Sequence, residues 1–235
     1  MNCAMVTGAD RGLGLEICAR LLERGWKVFA GRYMADWTEL DALEKAWPDA
    51  LVLVPLDVSS TASVGNAARE VARRTESIDL LVNNAGISCR EGDALDGLDL
   101  SASLRVFDTN SLGPVRMVEF FLPLMQAGLK RLCFVSSEAG SISVCARDRM
   151  YSYCMSKTAL NMAIRLMQGE LLPRGYTFRA YHPGWLRSYM QGKRSENGKV
   201  EPADSAATAV AQFLADADDE ARLELLDWEG NAWPF

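Results

Sequence analysis

Short apolar runs rich in β-branched residues alternate along this chain with longer stretches of helical period. The runs are "CAMV" (3–6), "KVFA" (27–30), "LVLV" (51–54), "DLLV" (79–82), "RLCFV" (131–135), "TFRAY" (177–181) and "LELL" (223–226). Runs that are apolar throughout suit strands covered on both faces, and strands separated by helices can be joined only by crossovers, so the pattern predicts a parallel sheet. Between the first two runs, "LGLEICARLLERG" places Leu13, Ile17 and Leu21 one turn apart, with Gly25 able to close the helix. Seven strands with intervening helices make an α/β chain with a doubly wound, mostly parallel sheet and helices on both faces. At 235 residues with 49% apolar content and no Pro/Ser/Gly linker, repeat or low-complexity tract, one domain over 1–235 is expected. The polar run "GKRSENGKVEP" (Gly192–Pro202) reads as a loop.

A formal net charge of −6 argues against nucleic acid or an anionic membrane as the main partner. There is no apolar run long enough to span a bilayer, and "MNCAMVTGAD" lacks the basic start and apolar segment of a signal peptide, so a cytoplasmic protein is expected. The six cysteines are scattered, with neither a C-x-x-C pair nor neighbouring histidines, and no metal site is expected.

Ligands of an open parallel sheet bind beyond the carboxyl ends of its strands, which makes the residues after each strand the informative ones. The first strand runs into "TGADRGLG", where Gly8, Gly12 and Gly14 would let the backbone approach a pyrophosphate at a helix start. After the second strand an acid would favour ribose hydroxyls, but Arg32 stands there, and Arg11 lies inside the glycine loop. Two arginines converging on one pocket predict NADP(H) over NAD(H). Following the third strand, Asp57 of "LDVSS" either accepts from an adenine amino group, with Val58 packed on the ring, or caps the helix near Thr61. "NNAG" (Asn83–Gly86) ends the fourth strand; its asparagine amides can tie strand ends together, while Ala85 and Gly86 leave room for a ribose.

A hydride exchange at a carbonyl needs a proton donor at the oxygen, and a phenol serves only if its anion is stabilised. Tyr153 and Lys157 are four apart and so neighbours on a helix, whereas Tyr151 and Lys157 are six apart and face different ways. Tyr153 is therefore the candidate acid, and Tyr151 is expected to line or close the pocket. The fifth strand delivers Ser136 and Ser137 to the same edge, where a hydroxyl can hold a substrate oxygen. Asn110 is a polar residue inside an apolar helical stretch and could hold a water that relays protons to Lys157.

With "TGADRGLG", "NNAG", "NSLG", "SSEAG", "YCMSK" and "HPGWLRS" in that order, the sequence resembles the short-chain dehydrogenase/reductase family over nearly its whole length. The long stretch between Ser137 and Tyr153 looks like the small carbonyl-reductase, C-factor-like branch. The resemblance implies a Rossmann fold and a tetrad: Tyr153 as acid/base, Lys157 lowering its pKa and holding the nicotinamide ribose, Ser137 orienting the substrate and Asn110 supporting a relay water. Ser137 rather than Ser136 matches the family serine, with Ser141 and Ser143 close behind. The glycine-loop and "NNAG" matches bring Leu13 and Asn84 into the cofactor set, and "HPGWLRS" brings Pro183, Gly184, Trp185 and Leu186, with Ser188 where threonine is more usual. His182, beside a proline at a strand end, reads as structural. The expected activity is NADPH-dependent reduction of a small ketone or aldehyde, or oxidation of the matching alcohol; the alternative is a binding module that senses NADP(H) without turnover. Trp185, Tyr151 and Tyr189 could line an apolar pocket. Family members commonly pair through helices that here would span about 101–127 and 150–172, so a homodimer or homotetramer is expected.

Overall fold

A computed structural model describes residues 1–190, 192 and 194–235; Gln191 and Lys193, within the loop expected over Gly192–Pro202 and its approach, lie outside the described residues. The strands are β1 (Cys3–Val6), β2 (Lys27–Arg32), β3 (Leu51–Pro55), β4 (Leu80–Asn83), β5 (Gly92–Asp93), β6 (Gly97–Leu98), β7 (Arg131–Val135), β8 (Thr177–His182), β9 (Leu225–Asp227) and β10 (Ala232–Trp233). The helices are α1 (Gly12–Leu22), α2 (Glu39–Ala46), α3 (Thr61–Ala72), α4 (Leu100–Phe107), α5 (Gly113–Phe121), α6 (Tyr151–Leu171) and α7 (Pro202–Leu214).

All seven predicted runs are strands of one sheet with the order β10-β9-β8-β7-β4-β1-β2-β3. Every neighbouring pair is parallel except β9 with β10, and that short antiparallel edge strand makes the sheet eight-stranded rather than seven-stranded. Strands β5 and β6 form a separate two-stranded hairpin. From β1 the chain winds outward through β2 and β3, then returns to β4 on the other side of β1 and winds away through β7 and β8. The order therefore reverses between β1 and β4, where a crevice opens at the carboxyl edge.

Side chains alternate across the sheet and fill two cores. Met5, Phe29 and Leu81 face one side, against Val64 of α3, Phe121 of α5, and Leu160 and Ile164 of α6. Ala4, Val6, Val28 and Ala30 face the other, against Leu13, Ile17 and Leu21 of α1 and Phe213 of α7. The predicted stripe of α1 is thus its buried face, and Gly25, at φ +77°, closes the helix by donating to the Leu22 carbonyl at 2.9 Å.

The single helix expected over 101–127 is interrupted. Between α4 and α5 lies one π-helical turn, Asp108–Leu112, whose extra residue widens the coil at Asn110. A 3.6-residue pattern cannot register such an insertion. No helix is long and apolar enough to cross a membrane, and no cluster of metal-ligating side chains occurs among the described residues.

Candidate active site

A cleft of about 340 Å³ opens at the carboxyl edge over β1 and β4. Its floor at one end is the turn after β1. Gly8 has φ +62° and lies against Ala85, whose Cα would be 2.9 Å from a Cβ at position 8; a Cβ at Gly14 would fall 2.1 Å from the Gly8 carbonyl oxygen. Only glycine closes this turn. Gly12, at φ +59°, has nothing within 4 Å of where its Cβ would be, so the backbone there faces open space. Arg11 occupies the N-cap of α1 without a side-chain cap bond, which leaves the first-turn N–H groups to the cleft, as an anionic pyrophosphate requires. Gly8, Gly12, Leu13 and Gly14 all line it.

The asparagines after β4 do what their chemistry suggested. Asn84 Nδ2 donates to the Thr7 and Gly8 carbonyls at 2.9 and 3.0 Å, and Asn83 Nδ2 reaches the Cys133 carbonyl at 3.4 Å. These bonds clamp β4 to β1 and β7 at the crevice. Asn84, Ala85 and Gly86 line the cleft. Asp57 lines it too, with Oδ1 accepting from Ser59 N–H and Oγ–H at 2.9 and 2.6 Å. It is not the cap of α3; Ser60 is, accepting from Ser63 N–H. Val58 packs on Gly113 and lines the cleft beside Asp57.

The two arginines part company. Arg11 lines the cleft, donates to the Tyr189 carbonyl at 3.0 Å and stacks over the Trp37 ring at 4.4 Å. Arg32 does not line it: its guanidinium forks onto Asp41 at 2.8 and 3.2 Å and also reaches the Ala35 carbonyl. A carboxylate nine residues downstream thus engages the charge expected to meet a phosphate. The buried Asp10 secures the end of β2 by accepting from Tyr33 and Met34 N–H at 2.9–3.1 Å.

At the far end of the cleft stand Tyr153 and Lys157, on the same face of α6 with Nζ 5.8 Å from the phenol ring centroid. Lys157 is buried and donates to the Val135 carbonyl at 2.8 Å. Burial lowers its pKa from 10.5 to about 8, so the ammonium still dominates at neutral pH. Tyr153 is half-buried. Burial pushes the phenol up to about 12; a hydrogen bond with Ser137 pulls it down and the charge of Glu138 adds to the rise. The resting phenol is thus held protonated. Tyr151, expected to line or close the pocket, is an exposed first residue of α6 and does not line it.

Ser137 and Ser136 have separate tasks. Ser136 lines the cleft and its Oγ donates to Asn161 Oδ1 at 2.6 Å, whereas Ser137, which does not line it, caps the short turn Glu138–Gly140 by accepting from Ala139 N–H at 3.1 Å. Ser141 is buried and Ser143 exposed. Asn110 is fully buried in the π turn. Its Oδ1 accepts from Ile87 N–H at 2.8 Å, and its Nδ2 donates to the Ile87 carbonyl and Ser156 Oγ at 2.9 and 3.0 Å. Together with Ser111, which donates to the Ser156 carbonyl, it ties the π turn to α6 one residue before Lys157. Asn110 Oδ1 and Lys157 Nζ would lie 3.4 and 3.7 Å from a Cβ at Gly86, so the missing side chain keeps both groups close to the cleft.

After β8, Pro183 and Leu186 line the cleft. Gly184, at φ +76°, instead packs on Trp228, and Trp185 is exposed; neither lines it. Of the three aromatics considered for a pocket wall, only Tyr189 takes part. His182 sits edge-on to Trp233 with ring centroids 5.4 Å apart, its Nε2 3.6 Å from Glu138. Sequence reasoning passed over Met34, Leu56 and Ile87, which line the cleft directly after β2, β3 and β4 and follow from the same carboxyl-edge rule. It also missed Glu138, which lies inside "SSEAG" but whose neighbours Arg147 and His182 come from other segments.

The short chain dehydrogenase family model matches residues 2–199. The C-signal protein of Myxococcus xanthus is 34% identical over 165 residues, covering 68% of this chain and 95% of its own. Among solved structures, an NADPH-bound carbonyl reductase from chicken fatty liver superposes with a TM-score of 0.87 at 30% identity, covering 100% of this chain and 99% of its own. A short-chain dehydrogenase/reductase from Burkholderia multivorans with bound NADP gives 0.85 at 27% identity, with coverage of 100% and 99%.

Proposed function

The chain belongs to the short-chain dehydrogenase family, an oxidoreductase family working with nicotinamide dinucleotides, and from that membership we propose that it reduces a small ketone or aldehyde with NADPH. The observation that carries the reading is the pairing of Tyr153 and Lys157 at one end of a cleft whose other end is the glycine turn. A bound dinucleotide would lie along Gly8–Gly14, Asp57–Val58 and Asn84–Gly86, and would supply the hydride. Similarity to NADPH- and NADP-bound proteins supports this occupant.

The chain's own residues handle the proton. The Tyr153 phenol, protonated at rest, donates to the substrate oxygen as negative charge develops there. Lys157, still largely charged at neutral pH, offsets the phenolate left behind. Ser137 orients the substrate oxygen, and Asn110 holds α6 in register while Gly86 leaves a path past Lys157 for a relay water. Preference for the 2′-phosphate rests on Arg11 at the cleft rather than on Arg32. A homodimer or homotetramer is part of the reading: Leu100 and Leu104 of α4 and Met155, Met162 and Leu166 of α6 are exposed apolar side chains on helices packed together.

The test is a panel of ketones and aldehydes assayed by NADPH consumption. Turnover of at least one carbonyl, faster with NADPH than with NADH, supports the reading. NADPH binding with no turnover across the panel would instead favour a sensing module.

A further inference from the structure

Tyr153 stands in the first turn of α6, the part of a helix whose N–H groups have no partners within it. A side chain at the cap position normally accepts from one of them, but Met150, which occupies it at φ +66°, makes no such bond. The partner comes from 61 residues away. Glu91, only 4% exposed, directs its carboxyl group at the start of α6, where Oε1 accepts from Ser152 N–H at 3.2 Å and Oε2 accepts from Ser152 Oγ–H. Cys89 Sγ–H donates to the same Oε2 at 3.1 Å, so three donors converge on one buried group.

The backbone holds Glu91 in place. Its carbonyl accepts from Asp99 N–H at 2.7 Å, and Asp99 in turn caps α4 by accepting from Ala102 N–H at 2.9 Å. Gly92, the next residue, has φ +83° and closes the β5–β6 hairpin so tightly that a Cβ there would fall 2.3 Å from the Gly97 carbonyl oxygen. Glu91 therefore joins the starts of α4 and α6. The Tyr153 carbonyl accepts from Ser156 Oγ at 2.8 Å, and that hydroxyl accepts from Asn110 Nδ2. The main chain around the phenol is thus pinned twice, by Glu91 at Ser152 and by Ser156 at Tyr153 itself. Lys157 lies one turn further on and has its own anchor in the Val135 carbonyl.

We propose that Glu91 is a positioning residue for the proton donor: as a cap supplied from outside α6, it keeps the first helical turn wound and the Tyr153 phenol at the cleft. This rests on the reading that Tyr153 is the proton donor. Glu91 does not line the cleft, so its effect on turnover passes through the start of α6. Without the cap the first turn is free to fray, and the phenol then spends only part of its time within reach of the substrate oxygen. Lys157 and the glycine turn keep their places, and NADPH binding is kept with them.

The experiment compares the wild type with Glu91→Ala and Glu91→Gln on one accepted carbonyl. It measures the single-turnover rate and amplitude of NADPH oxidation, the solvent deuterium isotope effect on that rate, and the number and affinity of NADPH sites by fluorescence titration. In Glu91→Ala the rate should fall by about 3- to 30-fold, the scale of a lost helix cap, with the amplitude and NADPH binding unchanged. Proton donation then limits the step more strongly, so the isotope effect should rise. Glu91→Gln, whose amide oxygen can still accept from Ser152 N–H, should lose little. If Glu91→Ala fails to fold, Glu91→Asp, one methylene shorter in its reach to Ser152, should show the same changes on a smaller scale. A variant of either kind that binds NADPH and reacts as fast as the wild type overturns the proposal. So does a loss of amplitude and NADPH sites at an unchanged rate and isotope effect, which is what a purely structural role gives. A wild type that reduces no carbonyl overturns the proposed function and this inference with it, whereas an active wild type whose Glu91 variants keep its rate overturns this inference alone.

Discussion

Replacing Lys157 by methionine should make the protein more stable while removing its activity. The side chain is 3% exposed, and burial takes its pKa from 10.5 to about 8. At about 1.4 kcal/mol per pKa unit, the native state carries about 3 kcal/mol of desolvation cost at pH 7. Methionine keeps the length and removes the charge, but the Val135 carbonyl loses the 2.8 Å bond from Nζ, a loss of about 1–2 kcal/mol. The net expectation is a gain of about 1–2 kcal/mol, or a melting point higher by about 2–8 °C for a chain of this size. The sign of the pH dependence gives a second check. The unfolded lysine keeps its proton up to about 10.5 and the folded one loses it near 8, so between those values the unfolded state binds more protons and wild-type stability rises with pH. Lys157→Met lacks that rise, and the gap between the two proteins should close from pH 8 to pH 10.5. Thermal and urea unfolding at several pH values read both effects. A variant less stable than wild type at pH 7, or a gap that does not narrow at alkaline pH, would refute the reasoning.

Arg11→Ala should weaken NADPH binding about tenfold or more, the scale of a lost charged hydrogen bond, and NADH binding much less. Arg32→Ala should shift that selectivity by less, because Asp41 already engages its guanidinium; parallel fluorescence titrations compare the two, and an equal or larger loss in Arg32→Ala would contradict the placement. Light scattering at micromolar concentration should give at least twice the chain mass, as expected if the exposed leucines and methionines of α4 and α6 are covered by a second copy; a single-chain mass would contradict it.

What the sequence revealed and what it hid follow from how far each signal reaches. Strands covered on both faces show as unbroken apolar runs, so β1 to β4 and β7 to β9 were legible. A two-residue edge strand such as Ala232–Trp233 has no periodicity to show. Glycines forced by backbone contact and a tyrosine and lysine one turn apart are local patterns, and they led to the cleft. The π turn was hidden because its extra residue leaves composition unchanged; only the buried, polar Asn110 hinted at it. Arg32 was misplaced because its partner, Asp41, lies on the next helix, and nothing in the strand-end pattern says where a long side chain will turn. Tyr151 was expected at the pocket from its spacing to Lys157 alone, which says only that it leaves the Tyr153 face; as the first helical residue, following Met150 at φ +66°, it faces outward. Glu138 lay within a recognised motif, but Arg147, which binds it, and His182, which approaches it, come from two other segments.

The central claim, that the Tyr153 phenol is the proton donor of a carbonyl reductase, is tested most directly by steady-state turnover of Tyr153→Phe and Tyr151→Phe on one reducible carbonyl, with NADPH affinity measured for each. Tyr153→Phe keeps the ring and loses the transferable proton, so turnover should fall by about 10²–10⁴ with NADPH binding intact, while Tyr151→Phe, outside the cleft, should remain close to wild type. A Tyr153→Phe variant that turns over as fast as wild type, or a Tyr151→Phe variant that is the inactive one, would contradict the account.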